Sequence, residues 1–329
     1  MKIVVDAMGA DNAPAVEIEG ALQAIEETGV EVILVGDEAR IKEEIAKHGA
    51  MPEKLSVIHA SETIGMNEPA AISVRRKRDS SIVVGLELLK REKADGFVSA
   101  GNTGAVVCAA TLSLRLLQGV ERPGIAIIIP TLTGTSLIID VGANINPKPI
   151  HLLQYGIMAD AYARYILHRD KPAVGLLNVG EEESKGTEFI KEAHTLLSES
   201  KLNFIGNIEG RDIYSGKADI VLCDGFVGNV ILKVSESVVD TIVQLLKREI
   251  KANIIATLGA ALSSSAFNEL KKKMDYSEYG GAPLLGVDGR CIICHGSSTG
   301  KAIKNAIRVA SEFVTQDLNK HIIEELESY

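Results

Sequence analysis

Six short stretches rich in glycine and small polar residues carry most of the chemistry open to this sequence: residues 6–11, 99–105, 140–144, 178–186, 223–229 and 295–301. Glycine lets backbone N–H groups come close to an anion, and a helix beginning just after such a turn adds its positive end. On these grounds 99–105 and 295–301 suit a phosphate, with Asn102, Thr103, Gly104, His295 and Ser297 as the candidate cradle. The plainer reading of each stretch is a tight strand-to-helix turn that needs positive φ. His295 opens its loop and either donates to a ligand or caps a helix. Asp6 and Asp140 close apolar runs, so each could orient a loop or hold a cation, and Asn144 ends the loop that Asp140 opens.

Other chemistries fit less well. The run from Gly296 to Lys301 is too short for the G-x-x-x-x-G-K-[ST] phosphate loop, and no G-x-G-x-x-G follows the first strand. There is no G-x-S-x-G nucleophile elbow, and Cys108 sits in an apolar helical pattern. Cys291 and Cys294 have metal-pair spacing, but the residues between them are apolar. A structural zinc site wants about four ligands, so this pair reads as buried strand, and neither metal nor cofactor is assigned.

The elements that must position these loops alternate. Short β-branched runs at 2–5, 32–35, 55–58, 96–99, 125–129, 137–140, 173–178, 204–205, 220–223 and 291–293 predict strands. Helical patterns at 15–27, 39–48, 83–93, 104–117, 152–168, 187–198 and 228–249 lie between them. Strand–helix alternation predicts a three-layer α/β/α fold with a mostly parallel sheet. All six loops are then expected at one edge, beyond the carboxyl ends of the strands, where open α/β sheets bind ligands. Asn12 before Pro14 and Glu68 before Pro69 are helix-start signals, and 299–327 is long enough to lie on a partner or across a sheet.

The 329 residues are expected to form one large domain over 1–329, with a helical projection near 234–280. Net charge is -9 and aromatic content 4%, which disfavours nucleic-acid binding. No leader pattern follows Met1, and no apolar run reaches the roughly 18 residues of a membrane span. A cytoplasmic protein without disulfides is the expectation.

At its loops the chain resembles the PlsX family, the acyl-ACP:phosphate acyltransferases of phospholipid synthesis. The likeness rests on VDAMGAD at 5–11, SAGNTGA at 99–105, DVGAN at 140–144, NVGEEESKG at 178–186 and DGFVGNVILK at 224–233. It continues through Gly280 to Arg290 and HGSS at 295–298. The resemblance implies a fold like that of isocitrate dehydrogenase and phosphate acetyltransferase, and a homodimer. It also implies transfer of a fatty-acyl group from acyl carrier protein (ACP) to orthophosphate, the product going to a membrane glycerol-3-phosphate acyltransferase.

Orthophosphate is already ionised near neutral pH, so it needs charge neutralisation, desolvation and alignment more than a base. Lys185, in its glycine-flanked loop, is the expected catalytic cation, the alternative being a solvated lysine paired with Glu181, Glu182 and Glu183. Asn229 is the expected oxyanion donor, the alternative being a helix N-cap. Acidic ACP needs a local basic face, and Arg75, Arg76, Lys77 and Arg78 form the clearest basic run. Ile254, Ile255, Leu258 and Leu262 share one helical face, with Phe267 beyond. Lys247, Arg248 and Lys251 flank one end and Lys271, Lys272 and Lys273 the other, which suits an anionic membrane surface, the alternative being a dimer-interface or core helical hairpin. The competing functions are a phosphate acetyltransferase taking a CoA thioester, a metal- and NAD-dependent dehydrogenase, and a non-enzymatic membrane-peripheral protein that binds ACP or lipid.

Overall fold

Apolar β-branched runs pair into a sheet, and amphipathic segments close over both of its faces. The structure is a computed structural model that describes residues 1–267, 269 and 276–329. Its first half contains β1 (Lys2–Asp6), α1 (Ala15–Thr28), β2 (Glu31–Gly36), α2 (Glu38–Lys47), β3 (Leu55–His59), α3 (Ala70–Arg76), α4 (Ser81–Lys90), β4 (Gly96–Ser99) and α5 (Thr103–Leu114). Next come β5 (Gly124–Thr131), β6 (Gly134–Ile139), α6 (Pro149–Tyr165), β7 (Val174–Leu177), α7 (Glu188–Ser198), β8 (Phe204–Ile208) and β9 (Ile220–Leu222). The last part holds α8 (Gly225–Ala252), α9 (Ile254–Leu262), β10 (Ala282–Leu285), β11 (Cys291–Ile293), α10 (Gly300–Thr315) and α11 (Leu318–Glu327).

The described strands form one eleven-stranded sheet in the order β3-β2-β1-β4-β11-β10-β5-β6-β9-β7-β8. Most neighbours are parallel, as the alternating pattern predicts. The centre is not. β10 lies antiparallel to both β11 and β5, and β5 is antiparallel to β6. Beyond that reversal β6, β9, β7 and β8 run parallel to one another and opposite to β1–β4. The expectation of six loops at one edge is therefore corrected. Loops after β1, β4 and β11 form one rim, and loops after β6, β9 and β7 form a second.

β10 is absent from the strands read in the sequence because Pro283 and the preceding glycine pair mask a four-residue strand. The stretch 299–327 is two helices, broken where Asp317 takes φ 44°. Its first part, α10, lays Ile303, Ala306, Ile307 and Ala310 against α1, where Gly20 admits the close approach of Ile303. Asn12 does not cap α1 with its side chain; its carbonyl accepts from Ala15 N instead.

One sheet face carries a continuous apolar cluster that spans both halves. It joins Ala105, Val106 and Ala109 of α5 to Val141 and Cys223 of the second rim, with Ala143, Leu177 and Ile231 packed against it. The opposite face splits into a cluster under α1 and α10 and another under α6, α7 and α11. Cys291 and Cys294 are buried free thiols, as the strand reading predicts.

Candidate active site

The first rim is held by side chains that reach between neighbouring strands. Ser99 Oγ donates to Asp6 Oδ2 at 2.7 Å, and Met8 N donates to Asp6 Oδ1 at 3.1 Å. Asp11 N donates to the Gly296 carbonyl, tying residues 6–11 to the loop after β11. A Cβ on Gly9 would stand 2.6 Å from Gly101 N, so glycine serves here for close approach. Asp6 thus orients the loops and faces no solvent.

Asn102 is fully engaged. Its Oδ1 caps α5 by accepting from Ala105 N at 3.0 Å, and its Nδ2 donates to the carbonyls of Gly65, Met66 and Glu68. Its side chain is thus committed to locking the 65–68 turn and capping α5. Thr103 and Gly104, both exposed, open the first turn of α5. Ser297 Oγ stands 2.7 Å from His295 Nδ1, and Ser297 N donates to that same nitrogen at 3.2 Å. Nδ1 is therefore the acceptor, and Nε2 carries the proton of the neutral ring.

Lys77 is likewise tied, to Glu68 Oε1 at 2.6 Å and the Thr63 carbonyl at 2.7 Å, which removes it from the expected basic surface. That ion pair, with Gly65 N and Ser73 Oγ, holds the Glu68 carboxyl down to about 2. Arg75, Arg76 and Arg78 remain exposed at the end of α3.

Glu17 was not anticipated. It is fully buried in the first turn of α1, where Oε1 accepts from Ala10 N at 2.8 Å and Oε2 has no hydrogen-bond partner among the described residues. Burial pushes its carboxyl up from an ordinary value near 4.5 to about 8. Between those two pH values the folded protein holds a proton that the unfolded chain has released. Stability should then fall as pH rises from about 4.5 to 8, by up to about 4–5 kcal/mol. Denaturant midpoints at pH 5 and pH 8 check this. Glu17→Gln should flatten the difference, and parallel pH profiles for the two proteins would refute it.

The second rim is built around Asp140. Its carboxylate accepts from Ile125 N, Gly142 N and Ala143 N on Oδ1, and from Asn144 N at 2.7 Å on Oδ2. Burial pushes this carboxyl up, and the four amides act against that push. These bonds fix the turn that follows β6. Asn144 extends it, with Nδ2 3.4 Å from the Tyr155 hydroxyl.

Asp224 caps α8 by accepting from Phe226 N and Val227 N, so that helix begins three residues earlier than its sequence pattern suggests. Asn229 is consequently no cap. It lies within the opening turns of α8, half-buried, 3.9 Å from where a Cβ on Gly142 would stand. The loop after β7 folds on itself through Asn178 Nδ2 to the Lys185 carbonyl, and the Lys185 stem lies over Gly180. Glu181 pairs with Lys217 at 2.7 Å, and among the described residues Lys185 makes no ion pair. β6, β9 and β7 are parallel neighbours. Their three loops leave one edge side by side, bringing an amide and an uncommitted ammonium to one rim.

Ile254, Ile255, Leu258 and Leu262 are 81, 79, 62 and 88% exposed on α9, which Asn253 caps. Lys271, Lys272 and Lys273 lie outside the described residues. Among the described residues no helix is long and apolar enough to cross a membrane.

A family model described as "Fatty acid synthesis protein" matches residues 1–321. A phosphate acyltransferase of Geotalea daltonii is 49% identical over 327 residues, covering 99% of this chain and 94% of its own. One of Geobacter sulfurreducens is 48% identical over 328 residues, covering 100% and 95%. Among solved structures, a phosphotransacetylase from Streptococcus pyogenes superposes with TM-score 0.66 at 16% identity, over 96% of this chain and 94% of that one. EutD phosphotransacetylase from Staphylococcus aureus gives 0.61 at 16%, over 97% and 94%. At such identity the likeness concerns the fold.

Proposed function

The chain belongs to the fatty acid synthesis protein family, the PlsX phosphate acyltransferases, and from that premise we propose that it moves a fatty-acyl group from acyl-ACP to orthophosphate. The observation that carries this reading is the shared edge of β6, β9 and β7, which presents Lys185 on the loop after β7 and Asn229 at the start of α8 after the neighbouring β9. Lys185 neutralises the phosphate, and Asn229 donates to the oxyanion that forms as phosphate oxygen attacks the thioester carbonyl. A carbon–oxygen bond forms, the carbon–sulfur bond breaks, and the thiolate leaves on ACP to take up a proton. The N–H groups of Thr103 and Gly104, with His295 and Ser297, are our candidates for an anion cradle on the first rim. Supplying purified protein and phosphate with either palmitoyl-ACP or palmitoyl-CoA, and trapping acyl phosphate with hydroxylamine, tests the donor. Preference for ACP supports the reading, and preference for CoA replaces it with phosphate acetyltransferase-type chemistry.

The surfaces fit the partners of such a reaction. Arg75→Glu with Arg76→Glu should raise KM for acyl-ACP several-fold at unchanged kcat, because both side chains are exposed cations facing an acidic carrier. An unmoved KM would remove this patch. On α8, the half-exposed to exposed Val230, Val234, Val238, Ile242 and Leu245 recur at helical spacing along 28 residues, which suits a second copy in a homodimer. We assign the exposed face of α9, beyond that stripe, to an anionic membrane surface, where a membrane glycerol-3-phosphate acyltransferase would take the product. Leu258→Glu should reduce co-sedimentation with anionic liposomes at least fivefold. Equal, negligible sedimentation of both proteins would end that assignment.

A further inference from the structure

The loop before β5 contains a cation that the mechanism has not used. β5 runs antiparallel to β6, so it begins where β6 ends, beside the Asp140 loop. Nearly every residue around Arg122 is fixed there. Glu121 N donates to Gln154 Oε1 at 3.0 Å, and Gln154 Nε2 donates to the Gly119 carbonyl at 2.9 Å. The Pro123 carbonyl accepts from the Tyr155 hydroxyl, which also contacts Asn144. Ile125 is held through both backbone groups, its N–H on Asp140 Oδ1 and its carbonyl on Val141 N.

The acid next door is occupied elsewhere. Buried His151 accepts from Lys148 N on Nδ1 at 3.0 Å, so its proton sits on Nε2, 3.1 Å from Glu121 Oε2. Lys148 Nζ stands 3.9 Å from the same oxygen. Glu121 is thus matched by groups on α6 and its approach. Arg122 is exposed and makes no ion pair among the described residues. Burial pushes the Tyr155 hydroxyl up, Asp140 adds to that push, and Arg122 weakly opposes it, as a cation near the Asp140–Asn144 turn would. The backbone on either side is anchored, and the guanidinium faces solvent at the rim that holds Asn229.

We propose that Arg122 is a phosphate-binding residue of the active site, its fork taking two oxygens of a phosphate group. A guanidinium fits this task because it stays charged and binds oxyanions through two parallel hydrogen bonds. The inference rests on the acyl-phosphate reading above. The phosphate group comes from one of two sources, orthophosphate or the phosphodiester of the carrier's prosthetic arm.

The test is Arg122→Gln, with Arg122→Lys beside it. Phosphate is varied at saturating acyl-ACP, and acyl-ACP at saturating phosphate. A rise of tenfold or more in KM for phosphate assigns the residue to the acceptor, and the same rise confined to acyl-ACP assigns it to the donor's phosphodiester. Lysine, a charge without a fork, should restore only part of the loss. Unchanged KM values in both arms, with wild type active, overturn the proposal and leave the acyl-transfer reading intact. Should wild type show no turnover, the phosphate-induced thermal shift decides. Its loss in Arg122→Gln supports the site, and an equal shift in both proteins overturns it.

Discussion

Lys185→Ala lowers kcat for acyl-phosphate formation by about 10²–10³-fold, with circular dichroism and thermal midpoint unchanged. The size follows from removing one preorganised charge from where negative charge gathers. The unchanged fold follows from position: the side chain is exposed, makes no ion pair among the described residues, and its loop is shaped through the Lys185 backbone, whose N–H donates to the Glu182 carbonyl and whose carbonyl accepts from Asn178 Nδ2. Asn229→Ala should lose turnover to a similar extent by removing the amide. Steady-state rates with palmitoyl-ACP check both. Near-normal turnover in either variant would strike that residue from the mechanism.

Gly228→Ala should damage fold and function together. A Cβ there would overlap the Asp140 carbonyl oxygen and stand 3.0 Å from Cys223 Sγ. Both neighbours belong to buried strand ends, so neither can yield cheaply. The start of α8 must then lift away from β6, carrying Asn229 away from the Gly142 turn. A cost of at least about 3 kcal/mol is expected, or roughly 4 °C in Tm for a chain of this length, with turnover falling alongside. Differential scanning calorimetry with an activity assay settles it. A variant within 1–2 °C of wild type, roughly the shift of a neutral surface change, and fully active would mean that α8 does not need this approach.

Much of this was legible in the chain. β-branched runs marked nearly every strand, because a strand buried on both faces is apolar at every position. The residues at the strand ends, Asp6 and Asp140, are the ones that organise the two rims. Strand direction was not legible. Alternation suggests parallel pairing, and the reversal depends on a β5–β6 hairpin and on β10, whose Pro283 conceals it. The Asp224-Gly225 pair reads as a turn, although aspartate before an apolar run is also a helix cap, and the wrong choice displaced the start of α8. Exposure within the 75–78 basic run could not be read either, since Lys77 turns inward to Glu68, nine positions away in sequence. Glu17 and Arg122 gave no local signal. One is defined by burial and the other by anchors on α6, and both are tertiary facts.

The central claim is that phosphate attacks the thioester directly, with Lys185 and Asn229 receiving the charge. Rapid-quench measurement of free ACP thiol from stoichiometric enzyme and palmitoyl-ACP tests it most directly, with and without phosphate. The account predicts no thiol release without phosphate and, with it, one acyl phosphate for each thiol released. A burst of free ACP equal to the enzyme concentration in the absence of phosphate would reveal an acyl-enzyme and contradict it.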